Sequence, residues 1–161
     1  MKGTIAITGI RDLARSHLAV VDLAVAELVG GRPDAVLFGG ARGTDTVALA
    51  AAWAALQGVR PPRLIVIVPA RLRDQPPEAR AWARRCADEI VELKAPALDR
   101  KAYHARNAEM VRRADGLLAF WDGRAGGTQR TIELAEDARI PVETVRLLGG
   151  VADDVGTEDA S

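Results

Sequence analysis

The residues best suited to chemistry in this chain fall in three short glycine-bearing segments, each with an arginine. They are Thr8-Gly9-Ile10-Arg11-Asp12, Gly39-Gly40-Ala41-Arg42-Gly43-Thr44-Asp45 and Asp122-Gly123-Arg124-Ala125-Gly126-Gly127-Thr128. Glycine lets main-chain N–H groups approach a guest closely. A helix that begins there adds unpaired donors and a partial positive charge. Arginine adds a planar fork of donors that matches phosphate geometry. The chemistry this composition favours is anion binding, phosphate above all. The spacing is neither G-x-x-x-x-G-K-[ST] nor G-x-G-x-x-G after a first strand, which argues against P-loop ATP hydrolysis and NAD-dependent dehydrogenation. Turn geometry alone explains any one of these segments; their convergence at one edge is what would make a site.

The elements that must position them follow from apolar periodicity. Strands are expected at 4–8, 35–38, 64–68, 89–93, 117–121 and 142–147, and helices at 16–29, 44–57, 78–87, 100–113 and 128–138. The run Leu64-Ile65-Val66-Ile67-Val68 is apolar on both faces, as a central parallel strand must be, whereas Glu89 to Leu93 alternates like an edge strand. Strand and helix alternate throughout, which predicts one α/β domain over 1–148, a mainly parallel sheet with helices on both faces. In such sheets ligands bind outside the carboxyl ends of the strands, where all three glycine segments leave. Residues 149–161 read as an acidic, disordered tail.

Composition narrows the function classes. The chain has 161 residues, 48% hydrophobic and 27% charged, an ordinary globular profile. No apolar run approaches the roughly 18 residues of a membrane span, and nothing resembles a targeting segment, so a cytoplasmic location and no membrane partner are expected. One cysteine, Cys86, and two histidines, His17 and His104, allow neither a disulfide nor a cysteine-built zinc site, and no metal or cofactor is expected. Charge balances at 22 bases against 22 acids, which does not suit a nonspecific binder of duplex DNA.

On the fourth helix Tyr103, Asn107, Met110, Val111 and Ala114 share one stripe, so Asn107 is a polar group on an apolar face and its amide must be satisfied there. It reads as a brace for a neighbouring loop, or, with Arg106, as a group ordering the glycine segments around a ligand. His104 reads as a surface histidine. Trp53 and Trp82 read as packing residues, Trp121 as core or a stacking surface, and Arg71 to Arg85 as a solvated face. Cys86 follows two arginines without a partner base and reads as packing.

The segment Gly39 to Asp45, followed by Trp53-Ala54, resembles the G-G-A-R-G-A-D segment of the YspA-like branch of the SLOG superfamily, which also holds the DNA-processing protein DprA and the LOG phosphoribohydrolases. Arg106-Asn107, the run Ala114 to Asp122 and Gly126-Gly127-Thr128 complete the resemblance, which extends from about Thr4 to Leu147. It implies a Rossmann-like three-layer sandwich that binds nucleotides or nucleotide-derived molecules, with frequent homodimers. The expectation is a ligand sensor or effector module. Thr8, Gly9 and Arg11 would line one side, and Gly39, Gly40, Arg42, Gly43 and Thr44 would cradle phosphate. Asp45 would bond a sugar hydroxyl or fix the loop, and Arg106, Asn107, Asp122, Gly126, Gly127 and Thr128 would close the other side. Two alternatives stay open: a nucleoside-monophosphate hydrolase using Asp45, Asp122 or Glu133, and single-stranded DNA binding of the DprA kind. LOG enzymes carry a glutamate three residues after the threonine of their glycine motif. Here that place holds Thr131, and Glu133 lies two residues on, about 200° round the helix.

Overall fold

The computed structural model describes residues 1–149. The strands are β1 (Thr4–Gly9), β2 (Ala35–Phe38), β3 (Arg63–Val68), β4 (Glu89–Glu92), β5 (Gly116–Trp121) and β6 (Val142–Arg146). The helices are α1 (Leu18–Gly30), α2 (Thr44–Leu56), α3 (Pro77–Cys86), α4 (Arg100–Arg113) and α5 (Gly127–Asp137). Two single 3₁₀ turns, Arg15–His17 and Leu72–Asp74, interrupt the loops after β1 and β3. All six strands join one parallel sheet in the order β4-β3-β2-β1-β5-β6. This is the expected α/β, Rossmann-like architecture, with β4 at an edge. The acidic tail expected over 149–161 lies, apart from Gly149, outside the described residues.

Apolar burial explains the layering. Val21, Val25 and Val29 of α1, Ala48, Leu49 and Ala52 of α2, and Ala83 and Cys86 of α3 pack on one face of the sheet against Ile5, Ile7, Val36, Phe38, Leu64 and Val66. Met110, Val111 and Ala114 at the end of α4 and Ile132 and Ala135 of α5 cover the other face through Ala6, Leu37, Ile65, Ile67 and Leu117. Strands β1 to β4 add outward in one direction. The chain then returns across the sheet through α4 and lays β5 on the opposite side of β1. That reversal opens a crevice between the carboxyl ends of β1 and β5, the place where open sheets of this type take ligands.

Two helix ends differ from expectation. Helix α1, expected to end at 29, runs to Gly30; Gly31 keeps a right-handed conformation with its N–H shared between the Glu27 and Leu28 carbonyls, and the positive φ falls on Arg32 at 55°. Helix α2 stops one residue early because Gln57, before Gly58, itself takes the left-handed conformation at φ 48°.

Candidate functional site

At the sheet reversal lies a cleft of about 530 Å³, within the usual range for a small-molecule site. Its walls come from the loops after β1, β2 and β5, the first turns of α4 and the start of α5. Of the residues singled out in the sequence, Thr8, Gly9, Arg11, Gly39, Asp45, Arg106, Asn107, Asp122, Gly126, Gly127 and Thr128 line it.

The loop after β2, whose composition suggests a phosphate cradle, reaches the cleft through Gly39, Ala41 and Asp45. Gly40, Arg42, Gly43 and Thr44 do not line the cleft. Thr44 is fully buried, and its hydroxyl and its main-chain N–H both donate to the Ile10 carbonyl, at 2.8 and 3.1 Å, tying this loop to the one after β1. Gly9 permits that contact, since a Cβ there would fall 2.4 Å from the Thr44 side chain. Gly43 has φ +77°, and a Cβ on it would strike the Arg11 carbonyl at 2.1 Å. The Gly40 carbonyl accepts from Gln75 Nε2 at 2.8 Å. Arg42 turns to the surface and pairs with Asp12 at 2.5 Å. The glycines here serve the close packing of two loops, and the N–H groups of Ala41 and Thr44 are spent inside the protein.

The floor of the cleft is a buried polar network. Arg106 is 4% exposed; its Nη1 donates to the Gly39 carbonyl and its Nε to Asn107 Oδ1 at 2.8 Å. The brace expected of Asn107 is thus made by Arg106, and Asn107 holds Arg106. Gly39 sits between Arg106 and Asp45: a Cβ there would come within 2.6 Å of the guanidinium and 2.7 Å of the carboxylate. Asp45 Oδ2 also accepts from the Ala41 N–H at 3.1 Å. Burial pushes the Asp45 carboxyl above its ordinary value, with Arg106 and the Ala41 N–H opposing. Burial likewise lowers Arg106, and Asp45 works against that. Arg11 and Arg106 both lie against the Tyr103 ring, 4.7 and 5.7 Å from its centre.

The other wall is cationic. Arg100, Arg124 and Arg130 line the cleft with Arg11 and Arg106, against two carboxylates, Asp45 and Asp122. Asp122 Oδ1 accepts from the Arg124 N–H at 3.0 Å, and Trp121 Nε1 donates to the Arg124 carbonyl at 2.8 Å, which shapes the loop. Arg146 lies 5.4 Å from the centre of the Trp121 ring. Helix α5 starts at Gly127 with no side-chain cap on its N–H groups and no acid in its first turn. A Cβ on Gly126 or Gly127 would meet no protein atom within 4 Å. The uncapped helix end therefore faces open space rimmed by arginines, an arrangement that favours an anion.

Several cleft residues escaped the sequence reading. His104 is half-buried and contacts Arg130 across the cleft, so it is not a plain surface histidine. Arg100, Tyr103 and Arg130 were not singled out as site residues. The signal for α4 was available: positions 100, 103, 104 and 107 follow helical spacing on one face. Glu133 is exposed and outside the cleft, while Thr131 Oγ1 bonds back to the Gly127 carbonyl at 2.8 Å. Cys86 is buried, and burial pushes its thiol up, outweighing Arg85. The described residues contain no cluster of metal-ligating side chains, and none of their helices is long and apolar enough to cross a membrane.

No known family profile matches the chain, and no curated protein matches its sequence. Solved structures do share its fold. DNA processing protein A of Helicobacter pylori, described for its single-stranded DNA binding mode, superposes with TM-score 0.71 at 20% identity over 98% of this chain and 72% of that one. DprA of Streptococcus pneumoniae gives 0.74 at 20% identity over 99% of this chain, which spans only 56% of that protein. A molybdenum cofactor binding protein of Rippkaea orientalis gives 0.66 at 19% identity over 91% of this chain and 78% of that one. At these identities the shared property is the Rossmann-like fold.

Proposed function

We propose that the protein is a binding module of the SLOG type, in its YspA-like branch, and that the cleft holds a nucleotide or nucleotide-derived small molecule. One observation carries the reading: the uncapped start of α5 opens toward Arg100, Arg124 and Arg130 at the β1/β5 crevice. In this reading the phosphate lies on Gly126, Gly127 and Thr128, where main-chain donors and arginines add. Asp45 and Asn107, at the opposite floor, face the sugar. Thr8, Gly9, Arg11 and Asp122 shape the sides, and Tyr103 offers a ring for stacking. The cleft volume suits one nucleotide rather than a strand.

A thermal-shift screen with nucleoside mono- and diphosphates, ADP-ribose and cyclic dinucleotides tests it. A ligand at 100 times its Kd stabilises by about 2.7 kcal/mol, which raises Tm by about 5–10 °C for a domain of this size. A panel that shifts Tm by less than a degree at millimolar concentration, with calorimetry equally silent, removes the proposal. Single-stranded DNA binding is the second reading, favoured by the fold shared with the Helicobacter protein. It requires oligonucleotide affinity that falls steeply with salt. A hydrolytic variant of the first reading would rest on Asp45 or Asp122, the carboxylates that line the cleft, and requires free base to appear when nucleotides are incubated with the protein.

A further inference from the structure

Five of the eight large apolar side chains that the described residues expose stand on α1 or at its ends: Leu18, Val20, Leu23, Met1 and Leu148. Leu23 is 73% exposed. His17 Nε2 donates to the Leu148 carbonyl at 3.1 Å, which holds Leu148 at the helix start. Trp53, expected to be a packing residue, is also 36% exposed, but Arg85 lies over its ring, 5.0 Å from the centre. Helix α1 has two apolar stripes. Val21, Val25 and Val29 spend one of them on the core. Val20, Ala24 and Leu28, at i, i+4 and i+8, form the second, with Leu23 and Glu27 alongside. This second stripe turns toward the edge strand of the sheet: Ala24, Glu27 and Leu28 share a hollow of about 150 Å³ with Leu118 of β5 and Glu143 of β6. Val145 of β6 is half-buried against the same core, and Glu143 is exposed. A groove thus runs between α1 and β6 from Leu148 to Met1, about 20 Å along the 13 residues of the helix.

We propose that this groove docks a helix of a partner protein, one that is amphipathic and basic: an apolar stripe flanked by lysines or arginines. A helix that is apolar nearly all round belongs between neighbours. Helix α2 packs on α1 from one side, and no helix among the described residues does so from the side of β6. A guest helix there would extend the layer by one member, lay its apolar stripe on Val20, Leu23 and Ala24, and cover the sheet edge at β6. A groove of this length takes three to four helical turns. Charge selects the chemistry of the guest. No lysine, arginine or histidine lines the hollow, and Glu27 and Glu143 form no ion pair among the described residues. A partner that takes these acids out of water must bring the cations. Residues 150–161 do not meet that need, since their charged groups are four acids, Asp153, Asp154, Glu158 and Asp159. A second copy set on the groove about a two-fold axis would bring the same two acids again and no cation from the hollow.

Titration of the full chain with two synthetic helical peptides, followed by amide NMR shifts, tests this. Each peptide has about 14 residues with leucines on one face; lysines flank that face in one and glutamates in the other. The parent is expected to bind the lysine peptide about tenfold or more tighter than the glutamate one, although the chain's formal net charge is zero. Shifts are expected at Leu23, Ala24, Glu27 and Glu143. Glu27→Lys combined with Glu143→Lys is expected to reverse the preference. Leu23→Gln is expected to weaken the lysine peptide about tenfold with the unfolding curve unchanged, since the side chain is exposed in the free protein. A parent that binds neither peptide at about 100 μM, or prefers the glutamate one, overturns the proposal. So does a preference that the double reversal leaves as it was, or a set of shifts confined to the cationic cleft. Self-association of the parent that Leu23→Gln abolishes would overturn it too, by giving the groove to a second copy. The nucleotide screen reports separately on the cleft, on which this inference does not rest.

Discussion

Arg106→Met isolates the polar floor of the cleft. The guanidinium is 4% exposed and supplies a donor to the Gly39 carbonyl and another to Asn107. Its loss strands a buried carbonyl, which costs about 1–3 kcal/mol, and removes the largest influence opposing the desolvation of Asp45. Breaking a buried charge pair on one side costs about 3–5 kcal/mol. Asp45 and Arg106 are not in direct ion-pair contact, so about 3 kcal/mol at pH 7.5 is expected. The loss depends on pH with a definite sign. Burial holds the folded Asp45 carboxyl above its ordinary 3.8. Stability from the protonated acid is therefore fully present below the unfolded value and is lost as pH rises through the folded one. Without Arg106 the folded value climbs further, so the variant loses more than the parent between pH 4 and pH 7.5. One unit in that value is about 1.4 kcal/mol, so the gap between variant and parent should widen over this window. Urea unfolding at several pH values measures it, and adding Asp45→Asn to Arg106→Met should close most of the widening. A gap equal at both pH values within 0.3 kcal/mol, roughly the precision of such comparisons, would refute the reasoning.

Other variants separate the cleft from its supports. Arg130→Ala should weaken the binding of a phosphate-bearing ligand about 10- to 100-fold by calorimetry, the value of a charge-assisted contact. Arg42→Ala, which composition alone marks as a phosphate contact, should change affinity less than twofold and stability by no more than about 0.5 kcal/mol, because Arg42 makes only an exposed pair with Asp12. Gly43→Ala should destabilise by about 2 kcal/mol or more in urea unfolding, through a positive φ and a clash with the Arg11 carbonyl. Glu133→Gln should leave both ligand affinity and any base release at the parent level, since the side chain is outside the cleft.

The fold was legible because burial leaves a period in the sequence. Leu64 to Val68 reads as a two-faced apolar strand, and it is the third of six parallel strands, flanked on both sides. The position of the cleft was legible for the same reason, since alternating strands and helices fix which loops share an edge. What each loop donor does was not. The segment Gly39 to Asp45 has the composition of a cradle, yet Thr44 spends its hydroxyl and N–H on the loop after β1 and Gly43 packs against that loop, contacts between residues more than thirty apart. Arg106 and Asn107 exchange their expected roles because a one-residue step turns a side chain by about 100°, finer than the apolar stripe can resolve. Arg100 and His104 were hidden in an exposed-looking stretch; only the crossing of α4 over the β1/β5 crevice makes that face a wall.

The strand order also sets a timetable for the growing polypeptide. The first strand made, β1, ends in the middle of the sheet, yet its neighbour on one side is β5, whose first residue follows more than a hundred positions later. At about 5–20 residues per second the ribosome needs roughly 5–20 s to supply it. Through that interval Ile5, Ala6 and Ile7 have amides and carbonyls on one flank with no strand to meet, an invitation to foreign β-segments. A nascent chain halted before residue 116 would be the form most in need of a chaperone, and release of the β5 segment would end that dependence.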